Sequence, residues 1–343
     1  MTRVVLAVDG NSLIHRSFHA HAGTGLRSAA GEPIWAVRGL LGQLVAAVER
    51  ISPDMVIVGF DDPEASWRRE TWPQYKAQRG VKLENLVSQL TLATKLLQQL
   101  GITVLIPAGL EADDVLASTA RAAAADGATT VIVTSDRDAF ALINEHTHIL
   151  RIINGGVESS PVITADRLLA LLGVRPDQYA DYAALRGDPS DNLPGVAGIG
   201  PKTAARLLAA AGSGEAVFHD PQNVSIVAAI GAASARCLAE PEAHRRWQLN
   251  RQIMAMRTDV DIDLETVGTL PLDAETVRAV FTDMQLSWSA SEAVRVLCER
   301  SRVPDEMRHE AWFAVPADIV SWVRRPPPLA RRTARAEQLA LFE

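Results

Sequence analysis

Cysteine is nearly absent: Cys237 and Cys298 are the whole complement of a 343-residue chain. Two cysteines cannot build a disulfide framework, and no Cys/His zinc spacing exists, so a disulfide scaffold and a zinc module are excluded. The scarcity fits a reducing cytoplasm. No apolar run reaches the roughly 20 residues that span a bilayer, so no contact with a membrane is expected. The chain enters the β-branched run Val4-Val5-Leu6-Ala7-Val8 at once, so no signal peptide is expected. No internal repeat is apparent, which removes solenoids and propellers.

Excess positive charge is missing too. The net charge is −7, with 48% hydrophobic and 22% charged residues, ordinary for one large or two modest globular domains. Nine carboxylates account for that sign: Asp9, Asp61, Glu111, Asp113, Asp114, Asp136, Asp138, Asp188 and Asp191. Setting them aside leaves +2. The remaining positive charge is local. Residues 63–82 hold Arg68, Arg69, Lys76, Arg79 and Lys82 against Glu64 and Glu70, and residues 324–335 hold five arginines and no acid. A polyanion responds to such local potential, so overall acidity does not exclude a nucleic-acid substrate.

The nine acids fall where a parallel α/β sheet would gather them. Asp9 follows Val4–Val8, Asp61 follows Met55–Phe60 and Asp136 follows Val131–Ser135, each at the carboxyl end of an apolar run, where open sheets bind ligands. Carboxylates a few Å apart cannot all ionise unless cations lie between them. An all-oxygen set selects hard ions such as Mg²⁺ or Mn²⁺, whose natural work is metal-assisted phosphoryl chemistry.

Alternation of β-branched runs with helical patterns predicts strands over 3–8, 55–60, 102–106, 130–134 and 148–153. Helices are predicted over 36–50, 84–99, 112–126 and 164–172, the last capped by Thr164. In Glu111-Ala112-Asp113-Asp114 the outer acids share a helix face, although acids simply favour first turns. Asp136-Arg137-Asp138 follows a strand and can flank one ion. Asp188-Pro189-Ser190-Asp191 alone is an ordinary turn; it is the joint occurrence that points to a metal site. In Gly195-Val196-Ala197-Gly198-Ile199-Gly200-Pro201-Lys202-Thr203 the glycines permit a tight hairpin and Pro201 suits a first helical position. The free N–H groups of that helix, beside Lys202 and Thr203, make a phosphate-binding end.

Together Val8-Asp9-Gly10-Asn11-Ser12, Phe60-Asp61, Tyr75-Lys76-Ala77-Gln78-Arg79, Glu111–Asp114, Asp136–Asp138 and Gly187–Gly195 resemble the bacterial 5′ nuclease family, in order over about residues 1–300. These are the flap endonucleases and 5′–3′ exonucleases that also form the N-terminal domain of DNA polymerase I. The resemblance implies an α/β, PIN-like core with a mainly parallel twisted sheet, a helical arch and a helix–three-turn–helix DNA-binding region. It assigns 1–182 to the core with the arch at about 63–90, 183–302 to a helical region with the three-turn element at 188–211, and 303–343 to a basic, proline-rich tail. No polymerase domain follows, so a stand-alone, monomeric member is expected.

Carried over, Asp9, Glu111, Asp113, Asp136 and Asp138 surround a first metal region and Asp188 and Asp191 a second, with Asp61 and Asp114 acting partly through water. Loop carbonyls within 190–201 would hold K⁺. Lys76 and Arg79 would be catalytic cations. In the arch, Trp67, Trp72 and Tyr75 alternate with Arg68, Arg69, Lys76 and Arg79, which suits stacking bases and neutralising phosphates of a threaded strand, though amphipathic surface helices look alike. Pro73 would interrupt a continuous helix and Gly80-Val81-Lys82 departs from the family. For His19 a phosphate or base contact is expected, with His15 and His21 on the surface. Phe18 stacks on a displaced base or belongs to the core. DNA-backbone contacts fall to Gly198, Gly200, Lys202 and Thr203. Gln338, Leu339, Leu341 and Phe342 resemble the short motif that binds the bacterial sliding clamp.

The reaction expected is two-metal hydrolysis of branched or nicked duplex DNA near a 5′ end or flap, with RNA–DNA 5′ ends as further substrates. The alternatives are a PIN-type ribonuclease, usually shorter and without the Gly-Ile-Gly-Pro-Lys-Thr hairpin, and a non-catalytic binder of branched DNA.

Overall fold

The computed structural model describes residues 2–80, 82–265, 268–299 and 312. The candidate clamp motif, Gln338, Leu339, Leu341 and Phe342, lies outside the described residues. Within the expected tail only Trp312 is described; it is buried, and its indole donates to the Ile51 carbonyl at 3.0 Å.

Five strands run parallel in one sheet: β1 (Val4–Asp9), β2 (Met55–Gly59), β3 (Thr103–Leu105), β4 (Thr129–Thr134) and β5 (Thr147–Arg151). A two-residue strand, β6 (Val162–Ile163), pairs antiparallel with β5, and the order is β3-β2-β1-β4-β5-β6. All of β1 and β2 is buried, as near-continuous apolar runs require when helices cover both faces. Alternate residues serve opposite cores. Leu6, Val8, Val56, Val58, Val131 and Val133 face α1 (Gly10–His21), α2 (Trp35–Ile51) and α4 (Glu84–Gln99), which follows the short α3 (Trp67–Thr71). Val5 and Ile57 pack on Val115 of α5 (Ala112–Ala125), while Ala7, Ile132 and Ile149 face the helical region.

That region comprises α6 (Ala165–Leu172), α7 (Pro176–Arg186), α8 (Pro201–Ala211), α9 (Gly214–His219), α10 (Val224–Ile230), α11 (Ala232–Leu238) and α12 (Pro241–Met254). Thr164 caps α6 by accepting from the Arg167 amide. The chain then returns: Val277 and Phe281 of α13 (Ala274–Asp283) and Val294 of α14 (Ser287–Leu297) join the core of Leu40 and Leu44 on α2.

From β1 the chain builds outward through β2 to β3, then re-enters at β4 on the other side of β1. The crevice at the carboxyl ends of β1 and β4 is therefore the switch point at which open α/β sheets bind ligands.

Two open readings are resolved here. The arch is not one helix: α3 stops at Thr71, two residues before Pro73, and turns follow from Pro73. Pro73 lacks the N–H that a continued helix needs, as its position implied. Phe18 is a core residue, 4% exposed and packed on Trp35 at 5.4 Å between ring centroids, so it cannot stack on a base.

Candidate active site

Asp9 ends β1 and caps α1, accepting from the Ser12 amide (2.8 Å) and the Thr134 hydroxyl (2.7 Å). The same Thr134 hydroxyl accepts from the Asp136 amide at 3.0 Å, and Asp136 accepts from the Asp138 amide at 2.9 Å. One hydroxyl thus fixes the acids of β1 and β4 relative to each other. Ser12 adds a second tie, accepting from the Ser135 amide at 3.0 Å. Asp61 is held by the Asn11 amide (2.8 Å) and the Ala112 N–H (3.0 Å). Asp113 and Asp114 occupy the first turn of α5, where the helix dipole favours negative charge.

Asp188 and Asp191 come from a hairpin, β7 (Gly187–Asp188) with β8 (Leu193–Pro194), around a 3-10 turn. Gly187 at φ +72 and Gly195 make that hairpin possible. A Cβ on either would sit inside the other arm's backbone. Gly198 at φ +75 turns the chain toward α8, which opens with Pro201, leaving Lys202 exposed and Thr203 half-buried at its start.

Burial drives the electrostatics. It lifts Asp9 to about 7 against the bonds from Ser12 and Thr134, with Asp61 and Asp136 adding repulsion. It lifts Asp113 well above the carboxylate range, helped by Asp136 and Asp9, and Asp138 likewise, helped by Asp136, Asp188 and Asp191. Asp191 is raised by burial despite the relief of Lys76 and Arg79. Seven acids from five places in the sequence therefore share one field. Among the described residues no three of His, Cys, Asp or Glu form a closed metal-holding group. The arrangement is nonetheless chemically suited to hard cations: all donors are oxygens, and the Asp138 Oδ1 is buried with no hydrogen-bond partner. A small opening adjoins it, lined among others by Asp113, Asp191, Arg68, Tyr75 and Met254.

The cations divide into a buried and an open set. Arg68 is 3% exposed and grips the fully buried Asp114 with two bonds of 2.9 and 2.8 Å, while donating to the carbonyls of Ile253 and Ala255. The amides of Glu111 and Arg257 complete the shell of Asp114. This corrects three expectations. Asp114 has its lone pairs filled by protein and is a structural anion rather than a metal ligand. Arg68 faces it instead of DNA. Tyr75 is buried too, its hydroxyl donating to Glu111 at 3.0 Å. A buried charge needs a partner, and these residues supply it.

Glu111 also accepts from Ser66 (3.1 Å) and from Lys76 Nζ (2.8 Å). Lys76 lies 4.0 Å from Asp191, and the half-exposed Arg79 donates to Asp191 at 2.5 Å. Lys76 and Arg79 thus reach Glu111 and Asp191. His19 and His21 are exposed, but His15 is half-buried, not a surface residue: burial and then the charges of Lys82, His19 and Arg79 hold it at about 4. Sequence reasoning missed Asn11, Ser12, Ser66 and Thr134. Their signal was a hydroxyl or amide beside a strand-end acid, too common to stand out.

Residues 4–173 match the family described as 5′–3′ exonuclease, N-terminal resolvase-like domain, and residues 174–275 match 5′–3′ exonuclease, C-terminal SAM fold. The thermostable DNA polymerase I of Thermus aquaticus is 38% identical over 275 residues, 80% of this chain and 31% of that protein. DNA polymerase I of Chloroflexus aurantiacus is 32% identical over 343 residues, 99% of this chain and 34% of that protein. The chain spans about a third of the length of these relatives. The T5 5′-exonuclease solved with zinc shares the fold at TM-score 0.59 and 16% identity, over 94% of this chain and 100% of that one. The catalytic core of Rad2 in complex with DNA substrate does so at TM-score 0.56 and 17% identity, over 88% and 92%. With both halves of the family's architecture matched and the acids gathered at the switch point of the sheet, the chain belongs to the 5′–3′ exonuclease family.

Proposed function

We propose that this chain is a structure-specific 5′ nuclease that hydrolyses DNA phosphodiesters near 5′ ends and at single-strand/duplex junctions. The observation that carries the reading is the crowd of buried, mutually repelling acids with an unpartnered Asp138 oxygen, at whose edge Lys76 and Arg79 bond to Glu111 and Asp191. Asp9, Asp113, Asp136 and Asp138 would hold one Mg²⁺ or Mn²⁺, and Asp188 and Asp191 another. Asp61 and Glu111, whose oxygens already accept protein bonds, would orient bound water. Such ions, when bound, supply Lewis acidity to the attacking water and offset charge on the leaving 3′ oxygen.

The chain's own residues do the rest. Lys76 Nζ and the Arg79 guanidinium donate to the scissile phosphate's oxygens, Arg79 with the fork that suits a phosphate. Arg69 and Lys82, both exposed, line the approach of the single strand. The α8 N-terminus with Lys202 and Thr203 fixes the duplex by its backbone, with K⁺ held by carbonyls within 190–201. Such contacts read shape, so little sequence preference and some acceptance of RNA 5′ ends follow. The terminal nucleotides must unpair to bring the phosphate in, costing a few kcal/mol, least at frayed or flapped ends. The division at 182 leaves seven of the nine acids in the core, while Asp188 and Asp191 come with the duplex grip. A monomer in a reducing cytoplasm fits two free cysteines and a DNA substrate. Gln338, Leu339, Leu341 and Phe342 would dock on a sliding clamp; Leu341→Ala with Phe342→Ala should abolish clamp binding and spare cleavage of naked DNA.

The decisive experiment is a 5′-flap duplex labelled separately at each end, incubated with Mg²⁺, Mn²⁺ or EDTA. Metal-dependent release of the intact flap with a 3′-hydroxyl, leaving a 5′-phosphate on the duplex strand, is expected. Release of mononucleotides alone would make the enzyme an exonuclease. Binding without cleavage in either metal would refute the nuclease reading.

A further inference from the structure

The turn that carries Lys76 and Arg79 is anchored to the loop that carries Asp188 and Asp191. The Lys76 amide donates to the Asp191 carbonyl at 3.0 Å. The Asn192 side-chain amide donates to the Gln74 carbonyl at 2.8 Å, and the Gln78 side-chain amide spans the carbonyls of Pro189 (3.1 Å) and Ser190 (3.0 Å). Tyr75, between them, is buried against Leu193 and Ile253. The two strands of chain are more than a hundred residues apart, yet each supplies backbone acceptors or donors to the other.

The backbone says why such anchoring is needed. Lys76 stands at φ +54 and Asn192 at φ +60. Asparagine visits the left-handed region readily; lysine does so only when its surroundings over-determine it. No helix can hold Lys76, because α3 has ended at Thr71 and Pro73 follows after one intervening residue. What holds it is the loop opposite. The side-chain amides of Asn192 and Gln78 donate to backbone carbonyls, so the work the structure gives them is to join the two segments.

We propose that Asn192 and Gln78 are positioning residues: they latch the turn bearing Lys76 and Arg79 onto the acid loop 188–192 and so fix Lys76 beside Glu111. The inference rests on the nuclease reading for its kinetic consequences, but the latch itself is a property of the chain without metal or DNA. It makes the acid loop and the catalytic cations one mechanical unit. Movement of the duplex-gripping hairpin would then be felt directly at Lys76.

The test uses Asn192→Gly, which keeps backbone freedom at a positive φ and removes only the amide, and Gln78→Ala, on an exposed side chain. Hydrogen exchange over residues 72–80, with neither metal nor DNA present, should be faster in both variants while exchange in β1 and β4 is unchanged. On a 5′-flap duplex, kcat should fall about ten- to a hundred-fold, the scale of a catalytic group displaced by an ångström, with KM unchanged. In a Lys76→Ala background either substitution should cause a clearly smaller loss, because part of its effect runs through Lys76 and only the part through Arg79 remains. Exchange at 72–80 equal to wild type, or losses that multiply in full with Lys76→Ala, would overturn the latch. If the wild-type chain cuts no flap, the nuclease reading fails, and the exchange experiment still decides the latch.

Discussion

Arg68 and Asp114 show how one pair can sit at an active site without serving its chemistry. Their two bonds hold the start of α5, and with it Glu111 and Asp113, against the carbonyls that end α12. Removing one partner strands a buried charge, which costs about 3–5 kcal/mol. Arg68→Met should therefore lower stability by that order in urea unfolding. Arg68→Met with Asp114→Leu should recover much of the loss, since a well-packed apolar pair replaces a buried ion pair at little cost. A double variant no more stable than the single would refute the pairing. His15 makes a second residue-scale prediction. Its folded value of about 4 lies below the unfolded value near 6.5, so the unfolded chain binds more protons between the two. Its penalty is absent above 6.5 and grows as pH falls toward 4. The melting temperature of His15→Gln relative to wild type should rise through that window; a flat difference would exclude a desolvated imidazole.

At the scale of elements, the β7–β8 hairpin is where backbone geometry decides the site. Gly195→Ala pushes a Cβ into the Arg186 carbonyl, so the hairpin must open. Overpacking of this kind costs about 1–3 kcal/mol, and Mn²⁺ uptake measured by calorimetry should weaken because Asp188 and Asp191 shift with the hairpin. Gly200→Ser is the control, since Gly200 has room and an ordinary φ of −87 at a helix cap; it should melt like wild type. Equal metal uptake by Gly195→Ala and wild type would remove the hairpin from the site.

Three of the parallel strands were legible as apolar runs leading to a named acid: Val4–Val8 before Asp9, Met55–Phe60 before Asp61 and Val131–Ser135 before Asp136. α1 was not, because Asn11, His15, Arg16 and His19 break its apolar stripe. The segment 67–79 misled for a sharper reason. Arginine beside tryptophan and tyrosine reads the same on a DNA-facing surface and around a buried anion. Only the fold brings Asp114, 46 residues from Arg68 along the chain, to the spot that settles it.

For the whole molecule, the site is a source of instability that the rest of the fold offsets. The sheet places Asp136 where its charge raises Asp9, Asp113, Asp138 and Asp191 together. In the metal-free protein that repulsion opposes folding; with divalent ions bound it becomes attraction, and mass action adds about 2.7 kcal/mol at a hundred times Kd. At about 2–4 °C per kcal/mol, as for domains of somewhat smaller size, Mn²⁺ should raise the melting temperature of the wild-type chain by roughly 5–10 °C, and EDTA should reverse the gain. Asp136→Asn separates the two roles. It removes a like charge, so the metal-free protein should melt higher than wild type, yet it should gain little from Mn²⁺ and should lose nearly all cleavage while still binding flap DNA. Stability and activity would then move in opposite directions at one residue, as expected where a site is built against the preference of its own charges. A wild-type chain indifferent to Mn²⁺, or an Asp136→Asn variant with the full metal-induced gain, would show that these acids are not gathered to hold metal.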